Sequence, residues 1–132
     1  MRLFAAAVFL LGSLLAPASF AAPTLTGRYR VVAIAGADGL DAARTHAEFA
    51  TNGRFASTIG CNRIAGAPTI AGSDLTFGPM ATTRMACPPP LDQVERAYLE
   101  ALRNVRGYRL SGETLLFLGE DGEALVTLKR AK

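Results

Sequence analysis

The residues best placed to do chemistry lie in two short stretches, GCNRIAG at 60–66 and TTRMACPPP at 82–90. Each holds one of the chain's two cysteines, Cys61 and Cys87, close to an arginine, Arg63 or Arg84. Four readings compete for the cysteines: a covalent bond, a metal site, a nucleophile, or no joint role. A zinc site needs three or four Cys, His, Asp or Glu ligands at suitable spacing. Here there are two cysteines, one histidine (His46) and no C-x-x-C pair, so no metal is expected. A cysteine nucleophile needs a neighbouring base. His46 is the one histidine available, and no second orienting group accompanies it.

A disulfide fits best. The cysteine count is even, both residues stand in loops, and the start of the chain points to export. Met1-Arg2 is followed by an apolar run from Leu3 to Ala16, then Pro17 and small residues. That is the layout of a secretory leader, with Ser19-Phe20-Ala21 fitting a cut before Ala22. The run is shorter than the ~20 residues that span a bilayer. The expected organisation is a leader at 1–21 and one domain at 22–132, periplasmic or secreted, with no transmembrane span after cleavage. Such compartments let disulfides persist. Closing the loop from Cys61 to Cys87 would restrict the unfolded chain by about 3.5 kcal/mol in the chain-entropy model.

The bond would bring Arg63 and Arg84 near one another. Two readings stay open for them. They clamp loops, with Glu95, Asp92 or a carbonyl as partner, as arginine forks often do. Or Asn62, Arg63, Thr82, Thr83 and Arg84 form the rim of a binding site.

The elements that must position these residues are short. GRYRVVAIA (27–35) is rich in β-formers and reads as a strand. Asn52-Gly53 lies between two strand-like runs and predicts a type I′ hairpin that pairs Phe49 with Phe55. Two further short runs flank Gly72-Ser73-Asp74. LDQVERAYLEALRNVRG (91–107) places Val94, Ala97, Tyr98, Ala101, Leu102 and Val105 on one stripe and predicts an amphipathic helix. Asp92 is the expected N-cap, Glu95 its capping-box partner, and Gly107 the C-terminal stop. Asp92–Arg96 and Arg96–Glu100 have the spacing of helical ion pairs. GYRLSG, ETLLFLG and EALVTLKR complete the strands. About five strands, a helix and three strands predict an α+β domain. Its antiparallel sheet would curl into a barrel or half-barrel, with the helix packed on it.

The charges, 14 Lys+Arg against 11 Asp+Glu, are scattered. They lack the clustering of a nucleic-acid surface, so no nucleic-acid partner is expected.

Taken in order, GCNRIAG, LTFGP (75–79), MATTRMACPPP (80–90) and the helix with Glu95 resemble the META domain, the HslJ-like family of bacterial envelope proteins. The likeness runs from LTGRYRVVAI to LVTLK. It implies a small exported or lipid-anchored domain with a barrel-like sheet and a helix. It also implies a link to heat shock, envelope stress and novobiocin resistance, and no established catalytic residues. A likeness of the family to secretion pilot proteins implies an apolar groove in the barrel. This chain departs from the family in lacking a lipobox cysteine and in having Tyr29 where members often have Trp. The expected function is a monomeric, non-enzymatic binding or stress-response module without a cofactor. Its partner would be a small lipophilic ligand or an envelope protein. The alternative is a small hydrolase or thiol-active enzyme of the periplasm.

Overall fold

The computed structural model describes residues 12–15 and 24–132. The expected leader and its cut before Ala22 lie, apart from residues 12–15, outside the described residues. The strands are β1 (Gly27–Ile34), β2 (His46–Phe49), β3 (Phe55–Thr58), β4 (Ile64–Gly66), β5 (Thr69–Ala71), β6 (Asp74–Thr76) and β7 (Ala81–Thr82). Helix α1 (Leu91–Asn104) follows, then β8 (Gly107–Ser111), β9 (Thr114–Leu118) and β10 (Ala124–Arg130). All ten strands form one antiparallel sheet in the order β5-β6-β8-β9-β10-β1-β2-β3-β4-β7. The sheet curls into a half-barrel with β5 and β7 at its edges, and α1 packs on β10, β1 and β6.

The ten strands exceed the five or so before the helix and three after it that the sequence predicts. Among the additions are β4 and β7, of three and two residues. Both come from the cysteine-bearing region, where glycine and alanine hide the period-two pattern that marks a half-buried strand.

Alternation builds the core. Tyr29 and Val31 of β1, Ala47 and Phe49 of β2, Leu115 and Phe117 of β9, and Val126 and Leu128 of β10 all point inward. In β1 the next buried residue after Val31 is Ile34, three positions on rather than two. A bulge between Val31 and Ala33 absorbs the extra residue. Phe49, Phe55, Phe77 and Phe117 fill the curl, with ring centroids 4.8–6.3 Å apart. Tyr29 is fully buried beside Phe49, donates its hydroxyl hydrogen to the Leu25 carbonyl at 2.9 Å, and lies under the Arg130 guanidinium.

Phe49 does pair with Phe55, but the turn between them is not type I′. Only Gly53 has a positive φ, +84°. Gly53 N–H donates to the Ala50 carbonyl, Ala50 N–H donates to the Arg54 carbonyl, and the Asn52 side chain accepts from Arg54 N–H. This is a wider turn closed by a glycine in the left-handed region, and it needs only one such residue.

The helix buries Val94, Tyr98, Ala101 and Leu102, with Val105 just beyond its end, as the stripe predicted. Its ends differ from expectation. Pro90 is the N-cap, and its carbonyl accepts from Gln93 and Val94. Asp92 instead accepts from the adjacent Gln93 N–H, and Glu95 points away into the interior. A proline at the N-cap has no N–H for a capping-box glutamate to accept from, and Leu91 N–H already donates to the Pro88 carbonyl. At the other end Asn104 closes the helix, Val105 is extended, and Gly107 opens β8. Gly107 is small for a reason of packing: a Cβ there would sit 3.1 Å from the Ser73 carbonyl oxygen. Asp92 and Arg96 stand 3.6 Å apart, whereas Arg96 and Glu100 form no ion pair among the described residues.

One buried polar link ties α1 to the sheet. The Ser57 hydroxyl donates to the His46 carbonyl at 2.7 Å, which leaves it to accept from the Tyr98 hydroxyl, also at 2.7 Å. Burial pushes the Tyr98 phenol far above its ordinary value of 10.0. Burial also raises Tyr29, with Arg130 pulling the other way. A raised phenol keeps its proton in the fold while the unfolded chain loses it. Its contribution is therefore complete below the unfolded value and is lost as pH rises past it. Unfolding free energy from urea titrations should fall steeply above about pH 10. Tyr98→Phe should cost about 1 kcal/mol at neutral pH and make the alkaline fall shallower. An unchanged alkaline slope would show that Tyr98 is not its source.

Candidate functional site

Three segments meet beside the N-terminal half of α1: the turn from β3 to β4, the extended chain after β7, and α1 itself. The disulfide Cys61–Cys87 joins the first two, with a Cα–Cα distance of 6.0 Å. Asn62, 4% exposed, joins all three. Its backbone N–H donates to Glu95 Oε1 at 2.9 Å, and its Nδ2 donates to Glu95 Oε2 at 2.7 Å. Nδ2 also donates to the Met85 carbonyl, and Oδ1 accepts from Met85 N–H and the Thr83 hydroxyl. The Thr83 oxygen accepts in turn from Arg63 N–H. An asparagine side chain offers two donor hydrogens and one acceptor oxygen, and here every one is used. No buried side-chain nitrogen or oxygen among the described residues lacks a partner.

This network revises the role expected for Glu95. Its carboxyl lies across from Asn62, and neither Arg63 nor Arg84 bonds to it. Among the described residues neither arginine side chain makes a hydrogen bond or ion pair. The glycine that ends GCNRIAG is explained by packing: a Cβ on Gly66 would lie 2.8 Å from Met80 Cγ.

Cys61, Cys87 and Glu95 also bring their ligand atoms within 4.8 Å of one another. The sulfurs are spent on each other, so the thiolates that a zinc ion takes as ligands are not on offer. His46 stands on β2 with its Nε2 3.5 Å from the Glu48 carboxylate, and no cysteine thiol is available to it.

A groove of about 400 Å³ runs between β7 and α1. Thr82, Thr83 and Arg84 line one side, and Leu99 and Arg103 of α1 line the other, with Met80, Asn62 and Glu95 also contributing. It continues past Met80 and Thr82 into a hollow of about 340 Å³ bordered by Gly78 and Pro79. Four of the expected rim residues therefore share one surface: Asn62, Thr82, Thr83 and Arg84. Arg63 is not part of the lining, and the second arginine of the groove is Arg103. Sequence reasoning missed Arg103 and Leu99. The signal for them was the spacing Glu95, Leu99, Arg103, four residues apart each time, which makes a second row along α1 beside the core stripe. A separate hollow of about 380 Å³ lies elsewhere, lined by Leu25, Phe49, Ile70 and Tyr108 among others.

The network makes a prediction that a capping role would not. Gln replaces Glu freely in a capping box. Against Asn62 it would turn an amide donor toward a donor. Glu95→Gln should therefore cost about 2 kcal/mol in urea unfolding. A neutral result would remove Glu95 from the network that holds the site.

The geometry can be set beside other proteins. The family model of the META domain matches residues 22–132. No curated protein matches the chain. Three solved structures share its fold. The NMR structure of a protein from Burkholderia xenovorans is 22% identical with a TM-score of 0.64, covering 89% of this chain and 97% of that one. A second NMR structure is 22% identical with a TM-score of 0.62, covering 79% and 88%. The crystal structure of a DUF4847 family protein from Bacteroides vulgatus is 18% identical with a TM-score of 0.54, covering 69% and 62%. At such identities the structures speak for the fold alone. The family match spans all the strands, the helix and both cysteine-bearing stretches, and the chain belongs to the META domain family.

Proposed function

We propose that this protein is an exported, non-enzymatic binding module of the bacterial envelope that takes an anionic ligand in the groove between β7 and α1. One observation carries the ligand class. Arg84 and Arg103 line a single groove, and among the described residues neither guanidinium is paired. Met80 and Leu99 add apolar surface between them, the mixture usual in ligand sites of a few hundred Å³.

Export is supported by the leader-like residues 1–21 and by a disulfide suited to an oxidising compartment, periplasmic or extracellular. Among the described residues no helix is long and apolar enough to cross a membrane. The stress-response role rests on the resemblance to heat-shock and novobiocin-resistance members of the family. A binding role is favoured over the hydrolase or thiol enzyme because the reactive groups are already engaged. The sulfurs are bonded together, Glu95 is held by Asn62, and His46 sits beside Glu48. A lipophilic ligand inside the barrel has less support than the exterior groove, since the phenylalanine rings occupy the curl.

Titration with succinate, read by backbone amide shifts, tests the groove. Shifts should cluster at Thr82, Thr83, Arg84 and Arg103. The double variant Arg84→Ala, Arg103→Ala should abolish them and leave the melting temperature within about 2 °C, the small effect expected of exposed substitutions. Shifts spread over all basic residues, or surviving the double variant, would overturn the assignment. Protein prepared from the envelope fraction should have the mass of a chain beginning at Ala22 and lacking two hydrogens. A mass that includes Met1–Ala21 would refute cleaved export.

A further inference from the structure

The ligand class can be narrowed from the backbone of β7, on the footing of the anionic groove proposed above. β7 is an edge strand, paired only with β4. Its register sets Thr82 opposite Ile64 and Ala81 opposite Ala65. One step on, Thr83 N–H donates to the Arg63 carbonyl at 3.0 Å. In an antiparallel ladder, hydrogen-bonded pairs alternate with pairs whose N–H and C=O face outward. Thr83 with Arg63 is of the first kind, so Thr82 with Ile64 is of the second. The Thr82 amide and carbonyl therefore face away from β4, toward the free edge, and Thr82 lines the groove. One surface thus combines an unpaired strand edge, two unpaired guanidiniums and an apolar strip.

Each of these features is met by one kind of partner. An unpaired edge accepts an extended peptide as an added strand, with main-chain hydrogen bonds for affinity and side chains for selection. Arginine presents a planar fork that suits a carboxylate. We infer that the groove binds an extended acidic peptide segment, which adds to the β7 edge through the Thr82 backbone and sets its carboxylates against Arg84 and Arg103. Alternate residues of a strand share a face, so acidic residues at every second position fit best. The opposite edge, β5, is also exposed, with Ile70 44% accessible. The hollow beside it is lined by threonines, glycines and apolar groups without an arginine, so it does not select acidic side chains.

The test uses the protein from Ala22 onward and a capped pentapeptide, acetyl-Thr-Glu-Val-Glu-Thr-amide. Its control is the same peptide with the central backbone nitrogen methylated. Charge and side chains are then equal, and one main-chain donor is gone. The unmodified peptide should bind at least about tenfold more tightly than the control, the equivalent of about 1.4 kcal/mol. It should also protect the Thr82 amide from hydrogen exchange. Equal affinities, or no protection at Thr82, would overturn strand addition; if succinate still shifts the groove amides, the anionic groove stands without it. Protection at Thr69–Ala71 instead would place the peptide on the other edge and also overturn the inference. Silence of the groove toward both peptide and succinate would remove the inference together with the anionic groove beneath it.

Discussion

The grip of Asn62 on Glu95 is the interaction on which this molecule's one elaborate surface depends. Two loop segments and a helix have no regular ladder to hold them together at that point. A buried amide with every hydrogen and lone pair assigned does so instead. Low dielectric strengthens such a network and makes any partial loss expensive. The disulfide beside it acts differently. It limits how far the same segments can separate once unfolded, while the hydrogen bonds decide how they lie when folded.

Beside this network the side chains of Arg63 and Arg84 make no hydrogen bond or ion pair among the described residues. Glu95 is the acid among the residues that line the groove, and Asn62 donates to both of its oxygens. Arg84 and Arg103 therefore line the groove without an ion pair among the described residues. Preorganisation of this kind reduces the ordering cost that a binding site pays on meeting its ligand. With Pro90 at the N-cap there is no N-cap N–H for a capping-box glutamate to accept from, which leaves Glu95 to the interior.

Much of the fold was legible because it rests on local periodicity. The core stripe of α1 and the pairing of Phe49 with Phe55 follow from spacing alone, and the disulfide followed from the cysteine count and the leader-like start of the sequence. The site was less legible because its contacts are long-range. Asn62 meets Glu95 across 33 positions, and a capping box three residues wide was the nearer explanation for the same glutamate. Arg103 lies near the end of α1 with no motif around it. β7 is two residues long, too short for an alternating pattern to register. The Asn52-Gly53 turn shows the same limit at smaller scale. The pair marked a hairpin correctly, while the loop length, set by where Phe49 and Phe55 meet, selected the turn type.

The sheet order has a consequence for how the protein is made. β1 lies at the centre of the sheet, hydrogen-bonded on one side to β2 and on the other to β10. Half of the sheet thus hangs from the first strand and half from the last. A chain delivered from its N-terminus can build β1 through β4 early, but the seam between the halves must wait for residues 124–130. Contacts so distant in sequence close late and slowly. The unfinished half-sheet would offer the open side of β1 until synthesis is complete, so the first strand and the last are made at opposite ends of the process and close the sheet together.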